Sequence, residues 1–287
     1  MKKWFLLLVV VSFLSACRLD GFFFENIELE AYSLSAYEDD RVPLPESYDL
    51  SEDEYVQIAL KSDDETLQAF YLGDTSKIDE DTVIVYCHGN AAHIDAYWNR
   101  VLLLANLAKK SYGVLIIDYR GFGMSTGIPT EAGLYTDIDA GIDWLKSKGL
   151  TNDRFILYGF SMGTAPACKL TAEPRSLSPM KLICEAPFAS AEKMVQDATL
   201  LALPGQYVVN LKINNAELIK KVQVPLLWMH GKSDSFLTID NHGEVFYKNY
   251  NGSWSEAYRV DGAEHSTLPT VMGFEEYSKA VLNFIRR

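Results

Sequence analysis

The sequence has few cysteines and no excess of positive charge. Its 287 residues include four cysteines, and 26 lysines and arginines stand against 39 aspartates and glutamates. The formal net charge of -13 argues against nucleic acid as a partner and against electrostatic docking on anionic lipid, because both need a basic surface. We expect the negative charge to serve solubility.

Motifs for binding metals and phosphates are missing too. The sequence contains no HExxH, no clustered carboxylates and no phosphate-binding loop, and its cysteines lack metal-ligand spacing. We therefore expect no metal and no nucleotide cofactor. Internal repeats and low-complexity segments are also absent. With 48% apolar and 23% charged residues, the chain is long enough for one large α/β domain with a full core.

A hydrophobic run near the N-terminus indicates export. Two lysines precede an apolar stretch that is too short to span a bilayer comfortably and that ends in small residues. This pattern predicts a secretory signal peptide over residues 1–16. Leu14-Ser15-Ala16-Cys17 resembles the bacterial lipobox, so the mature chain would begin at a lipid-modified Cys17 and be anchored by several acyl chains. An ordinary signal peptide with a chance cysteine and an uncleaved anchor helix stay open as alternatives.

The lipobox interpretation also predicts where the protein works. We expect it at a bacterial cell membrane or outer membrane, held by the lipid anchor, with its folded domain outside the cytoplasm. The other cysteines, Cys87, Cys168 and Cys184, lie in apolar strand-like or helical runs, which is typical of buried free thiols. A disulfide between Cys168 and Cys184 remains possible at this point.

The order of the predicted elements indicates the fold class. Residues 17–50 are interpreted as a tether that packs irregularly onto an α/β domain over residues 51–287. Two β-rich runs around a polar turn predict an opening hairpin, after which strands and amphipathic helices alternate. This alternation predicts a mostly parallel, eight-stranded, doubly wound sheet flanked by helices. Residues 187–222 have little strand character and are interpreted as a small cap. The predicted strands cover residues 54–60, 67–72, 82–87, 113–119, 155–159, 182–184, 225–230 and 254–260, and the predicted helices cover 97–109, 129–148, 161–171, 239–250 and 274–287.

A serine between two glycines follows one of the predicted strands. The segment Gly159-Phe160-Ser161-Met162-Gly163 has the GxSxG spacing of a nucleophile elbow, a strained strand-to-helix turn that exposes the serine. The helix N-terminus behind the serine favours developing negative charge. Ser161 is therefore the candidate nucleophile, although so short a pattern also arises by chance.

Two later strands end in candidates for the other members of a catalytic triad. Asp234 follows the strand over 225–230, and His265 follows the last strand. The order nucleophile, acid, histidine is that of the α/β-hydrolases, with Asp234 stabilising the imidazolium and His265 accepting the Ser161 proton. Glu185, at the end of the strand over 182–184, is an alternative acid with a less complete motif.

Other polar residues near predicted strand ends are given structural roles. Asp118 and Arg120 are interpreted as a pair that holds a glycine-rich turn, with substrate contact as the alternative. His88 is expected to shape the turn after its strand. His93 is expected to be exposed, and His242 to lie on a helix surface.

From about residue 54 onward, the chain resembles the α/β-hydrolase superfamily, in particular bacterial hydrolases with a serine aminopeptidase-like domain and their eukaryotic relatives that include protein depalmitoylases. The resemblance rests on HGN at 88–90, DYRGFGMSTG at 118–127, GFSMG at 159–163, HGKSD at 230–234 and GAEH at 262–265. It implies an oxyanion hole formed by the backbone N–H groups of Asn90 and Met162. Thr164 and Thr238 depart from the family pattern at positions that touch no catalytic group.

These observations predict a membrane-anchored serine hydrolase that cleaves esters, thioesters or small amides through an acyl-enzyme intermediate. A serine peptidase and a non-catalytic lipoprotein that uses the same scaffold are the alternatives. The expected substrate is a small acyl ester of short to medium chain length, because the predicted cap is too small for a large lid. The expected pocket lining is apolar and consists of Phe188, Met194, Leu200, Leu201 and Leu203.

Overall fold

The computed structural model describes residues 23–37, 39–109, 112–199 and 210–287. The predicted signal peptide and Cys17 lie outside the described residues, as do Leu200, Leu201 and Leu203 of the expected pocket lining. Within the described ranges, no helix has the length and apolar character that crossing a bilayer requires.

The described residues form ten strands, eight of which build one sheet at the centre of the fold. The strands are β1 (Glu25–Asn26), β2 (Tyr55–Ser62), β3 (Glu65–Leu72), β4 (Thr82–Cys87), β5 (Ala91–Ala92), β6 (Tyr112–Ile117), β7 (Phe155–Phe160), β8 (Lys181–Glu185), β9 (Leu226–Gly231) and β10 (Ser255–Val260). The order in the large sheet is β10-β9-β8-β7-β4-β6-β3-β2, and β1 pairs separately with β5. The β2–β3 and β3–β6 pairs are antiparallel, whereas the other pairs are parallel. The predicted mostly parallel sheet with an antiparallel start is confirmed.

Helices cover both faces of this sheet. They are α1 (Trp98–Ala105), α2 (Glu131–Ser147), α3 (Thr164–Ala172), α4 (Ala191–Thr199), α5 (Asn215–Leu218), α6 (Glu244–Lys248), α7 (Leu268–Met272) and α8 (Phe274–Arg286). Side chains of β4 alternate between two core clusters, with Val83 and Val85 in one and Ile84 and Tyr86 in the other. Helices α2 and α3 pack in the first cluster, and α1 and α8 in the second. Strands buried on both faces explain the continuous apolar runs in the sequence.

Two predicted helices are shorter than the sequence pattern suggests. The helix expected over 97–109 ends as an α-helix at Ala105, and Ala108 has a positive φ of 47° that breaks the helical backbone. The helix expected over 239–250 is divided into a π-helical turn, Ile239–Gly243, and α6. In the predicted cap, the described residues form α4 and α5, while residues 200–209 are outside the described ranges.

The three described cysteines are buried and free, as predicted. The Cys168 and Cys184 sulfur atoms lie 3.8 Å apart in the core and are not bonded. Burial raises the pKa of the Cys87 and Cys184 thiols, so both are poor nucleophiles.

The described residues before the domain also pack on it. Phe23 and Val42 are fully buried, and short 3₁₀ turns form at Leu34–Ala36 and Glu46–Tyr48. The described residues between 23 and 50 therefore contribute side chains to the folded core.

Candidate active site

Ser161 lies in a strained turn between β7 and α3. Its φ is +52°, a conformation that a non-glycine residue keeps only when its surroundings impose it. Both flanking glycines are required by close packing. A Cβ at Gly159 would come within 2.6 Å of the Gly163 carbonyl oxygen, and a Cβ at Gly163 would collide with the Cys87 carbonyl. The turn therefore has the geometry of a nucleophile elbow.

The structure brings Ser161, His265 and Asp234 into one hydrogen-bonded row. His265 Nε2 lies 2.9 Å from Ser161 Oγ, and His265 Nδ1 lies 2.7 Å from Asp234 Oδ2. The three residues follow β7, β10 and β9, whose carboxyl ends meet at one edge of the sheet. An imidazole that donates from Nδ1 to a carboxylate has Nε2 free to accept the serine proton.

Asp234 is buried and held by several donors. Its Oδ1 accepts the backbone N–H groups of Phe236 at 3.0 Å and of Leu237 at 2.7 Å. Burial alone would raise the pKa of this carboxyl, but hydrogen bonds from His230 and His265 outweigh burial and lower the pKa well below its usual value. Asp234 is therefore ionised at neutral pH and can stabilise a charged imidazole.

The loop that carries His265 is tied to the loop that carries Asp234. The Ser233 N–H donates to the Ala263 carbonyl at 3.0 Å, and the Ser235 N–H donates to Glu264 Oε2 at 3.2 Å. The rings of Phe160 and Phe236 lie 5.3 and 5.1 Å from the His265 ring. These contacts restrict the position of the imidazole.

Glu185, the alternative acid, belongs to a buried ion pair instead. Its Oε1 accepts from Arg100 Nη1 at 2.8 Å, and its Oε2 accepts from the hydroxyls of Tyr158 at 2.5 Å and Tyr277 at 3.0 Å. Arg100 Nη2 also donates to the carbonyl of Ser266, next to His265, at 2.6 Å. Both carboxylate oxygens of Glu185 are thus occupied, and the carboxylate that contacts His265 is that of Asp234.

Sequence reasoning missed this Arg100 cluster. The guanidinium lies 4.1 Å from the centre of the Phe160 ring, beside Ser161 in the chain. Burial would lower the pKa of Arg100, but the Glu185 carboxylate raises it well above its usual value. The sequence did contain an indication of a buried arginine, because Arg100 is the one charged residue in the apolar run of α1. Its partners on β7, β8 and α8 come together only in the folded sheet.

The expected oxyanion-hole residues lie at the same sheet edge as Ser161. Strand β4 pairs with β7 so that Cys87 is beside Gly159, and residues 88–90 leave the sheet next to the elbow. His88 is fully buried; its Nδ1 lies 2.8 Å from the Gly89 carbonyl, and its own carbonyl accepts the Tyr119 hydroxyl at 3.0 Å. Met162 follows Ser161 at the start of the helical segment that leads into α3. The assignment of Asn90 and Met162 as oxyanion donors remains a prediction.

The expected pairing of Asp118 with Arg120 is wrong. Arg120 binds the buried Asp137 and also contacts Asp63. Asp118 instead accepts the Tyr32 hydroxyl and a backbone N–H. The glycine-rich turn after β6 directs the two side chains to different neighbours.

Two histidines expected at the surface are buried. His93 is 5% exposed, and its ring packs against Tyr37 from the N-terminal part of the chain. His242 is fully buried, with Nδ1 3.3 Å from the Ala189 N–H, and burial lowers its pKa to about 4. Neither burial could be deduced locally, because each depends on a segment that is distant in the sequence.

The described members of the expected pocket lining are core residues. Phe188 and Met194 are buried, and the Phe188 ring packs edge-to-face on Phe23. A separate open groove of about 390 Å³ lies beside the glycine-rich turn. Its lining comprises Phe24, Asn26, Ile128, Pro129, Thr130, Glu131 and Leu211, and we call it the Ile128 groove.

Comparison with known proteins supports the hydrolase interpretation of the fold. The family model described as alpha/beta hydrolase fold matches residues 82–202. The chain is 30% identical over 167 residues to the uncharacterized protein YfhR of Escherichia coli K12, which covers 57% of this chain and 56% of that protein. It is also 30% identical over 165 residues to the lysophosphatidylserine lipase ABHD12 of Xenopus tropicalis, covering 53% and 42% of the two chains. The chain thus spans about half the length of the curated relatives that it matches.

A solved structure shows the same architecture. The esterase Pf2001 of Pyrococcus furiosus superposes with a TM-score of 0.65 at 22% identity, covering 82% of this chain and 91% of the esterase. The α/β-hydrolase fold expected from the sequence is therefore confirmed. The lipoprotein and depalmitoylase-related parts of the expected resemblance stay predictions.

Proposed function

We propose that this chain, which has the α/β-hydrolase fold, is a serine hydrolase that cleaves carboxylic esters or thioesters through an acyl-enzyme intermediate. The observation that carries the proposal is the row Asp234–His265–Ser161, with its distances of 2.7 and 2.9 Å and a serine at positive φ. A scaffold protein without activity has no physical need for such a strained, hydrogen-bonded arrangement. The esterase and lipase among the similar proteins support the same reaction class.

The geometry supports a two-step mechanism. Ser161 Oγ attacks the acyl carbonyl while His265 Nε2 takes the hydroxyl proton, and the ionised Asp234 stabilises the resulting imidazolium. The carbonyl oxygen becomes an oxyanion next to the backbone N–H groups of Asn90 and Met162, which stabilise it. His265 then protonates the leaving alcohol or thiol as the carbonyl re-forms. Water then attacks the acyl-enzyme with His265 as its general base, and the carboxylic acid is released as Ser161 regains its proton.

The chemistry of the leaving group favours esters and thioesters over amides. Alkoxide and thiolate leaving groups need less help from a general acid than an amine does. A serine peptidase therefore remains the alternative within the same mechanism.

The proposed acyl group is short to medium in length. The chain between β8 and β9 is short, which leaves little room for the large lid that covers a long acyl chain. A lipid monoester is a second candidate because one relative is named a lysophosphatidylserine lipase. Lipid anchoring at Cys17, with the domain outside the cytoplasm, is proposed as well and rests on the lipobox sequence.

Turnover of p-nitrophenyl acetate and butyrate by the purified chain tests the proposal. Ser161→Ala should abolish turnover with little change in Tm, because the side chain carries chemistry rather than packing. Ser147→Ala, at an exposed helix position, is the matched control and should keep wild-type activity. Hydrolysis by Ser161→Ala above a few per cent of wild type would refute the nucleophile. Activity confined to aminoacyl anilides would move the assignment to a peptidase.

A further inference from the structure

The N-terminal segment, residues 25–35, is bonded to the loop that carries Asn90. We propose that this segment positions the oxyanion hole and is thus a working part of the active site rather than a tether. The inference rests on the proposed function, since it assigns a catalytic consequence to contacts around Asn90. Three separate groups of contacts carry it.

The first group is a parallel strand pair. Strand β1 aligns with β5, with Glu25 opposite Ala91 and Asn26 opposite Ala92. The Glu25 N–H donates to the Asn90 carbonyl at 2.9 Å. The peptide that follows the expected oxyanion donor is therefore held by a residue of the N-terminal segment.

The second group holds the far end of the same loop. Asp95 is 3% exposed, and its carboxylate accepts the backbone N–H groups of Ser33 at 2.8 Å and Leu34 at 3.0 Å. The Tyr32 hydroxyl donates to Asp118 Oδ2 at 2.6 Å, and Asp118 Oδ1 accepts the Ile94 N–H at 2.9 Å. The loop over residues 90–95 is thus tied at both ends.

The third group joins the segment to the glycine-rich turn after β6. The Leu29 N–H donates to the Gly123 carbonyl and the Gly123 N–H donates to the Ile27 carbonyl, both at 2.8 Å. Asn26 Nδ2 donates to the Gly121 carbonyl at 2.7 Å. The N-terminal segment therefore bridges two neighbouring loops at the catalytic edge of the sheet.

The backbone of the loop explains why such support matters. Ala92 has a φ of +63°, an unfavourable conformation for alanine that persists only where surrounding contacts impose it. Loss of the β1 contacts would let the loop relax and turn the Asn90 N–H away from the developing oxyanion. Because oxyanion contacts act mainly in the transition state, the loss should lower kcat more than it raises KM.

The test compares Glu25→Pro with Glu25→Ala. Both change the same exposed side chain, but only proline removes the N–H that bonds the Asn90 carbonyl. We expect kcat of Glu25→Pro on p-nitrophenyl butyrate to be about tenfold or more below that of Glu25→Ala, with KM within about threefold. Tyr32→Phe, which removes the hydroxyl from Asp118 and keeps the ring, should shift kcat in the same direction.

Thermal unfolding of each variant separates positioning from general stability. Equal kcat for Glu25→Pro and Glu25→Ala in the folded state would overturn the proposal, and so would a lower Tm without a lower kcat. If Glu25→Pro does not fold, Tyr32→Phe becomes the test. An unchanged kcat for Tyr32→Phe would also overturn the proposal. An inactive wild-type chain would instead refute the proposed function itself, and with it the role of this segment.

Discussion

Removing Arg100 should destabilise the fold strongly, because it leaves buried partners without a donor. Arg100 and Glu185 side chains are 3% and 0% exposed, so neither group can turn to water. In Arg100→Met, the Glu185 carboxylate keeps only the Tyr158 and Tyr277 hydroxyls, and the Ser266 carbonyl loses a 2.6 Å bond. Arg100→Met thus leaves the Glu185 carboxylate buried without its cationic partner.

The expected loss can be bounded from these contacts. Breaking a buried ion pair by removing one partner costs about 3–5 kcal/mol, and the unpaired carbonyl adds to that loss. We therefore expect Arg100→Met to lower the free energy of unfolding by about 4 kcal/mol. Adding Glu185→Gln removes the stranded charge and leaves an amide that the two tyrosines can still bond. The double variant should recover about 2 kcal/mol relative to Arg100→Met.

Urea unfolding followed by tryptophan fluorescence and circular dichroism measures these differences. Lys220→Met is the control, since Lys220 pairs with Glu217 at the surface, where the two side chains are 40% and 62% exposed and such pairs are worth about 0–1 kcal/mol. A loss below about 1 kcal/mol for Arg100→Met, or a double variant that is no more stable than the single one, would refute the reasoning.

The other predictions concern the triad, the substrate and the anchor. Asp234→Asn should lower kcat about 10³- to 10⁴-fold by favouring the wrong His265 tautomer, and steady-state kinetics that gave wild-type kcat would remove Asp234 from the triad. Because the pKa of Asp234 is lowered on folding, its contribution to stability should be complete above about pH 4 and fade as pH falls further, as acid titration of unfolding will reveal. In a p-nitrophenyl ester series, each methylene added to a short acyl chain should contribute about 0.8 kcal/mol of transition-state binding and so raise kcat/KM, until the pocket is full and kcat/KM levels off. A steady rise of kcat/KM to palmitoyl would favour a lipid monoester. Cys17→Ser should move the protein to the aqueous phase in detergent partitioning while the domain stays active, whereas wild-type protein found wholly in the aqueous phase would contradict the lipid anchor.

The sequence was enough to predict the sheet and to place Ser161, Asp234 and His265 together at one of its edges. Ser161, Asp234 and His265 each follow a strand with a strong apolar pattern, and parallel strands deliver their carboxyl ends to one edge. Local sequence therefore specifies most of this geometry. The glycines around Ser161 add a steric requirement that is visible without any tertiary information.

The remaining features depend on contacts between distant segments. The Arg100 cluster joins α1, β7, β8 and α8, and no local pattern indicates which carboxylate meets a buried arginine. His93 is buried against Tyr37, and the proposed role of residues 25–35 follows from hydrogen bonds to loops that are distant in the sequence. Sequence periodicity reports which face of an element is apolar, but not which segment covers that face.

Mass-spectrometric mapping of a fluorophosphonate adduct tests the central claim most directly. The reagent phosphonylates a serine whose hydroxyl is activated by a neighbouring base. The account predicts a single stoichiometric adduct on the peptide that contains Ser161, and its loss in His265→Ala. A folded wild-type chain that takes no label while a known serine hydrolase is labelled beside it, or an adduct on a different serine, would contradict the proposed nucleophile and mechanism.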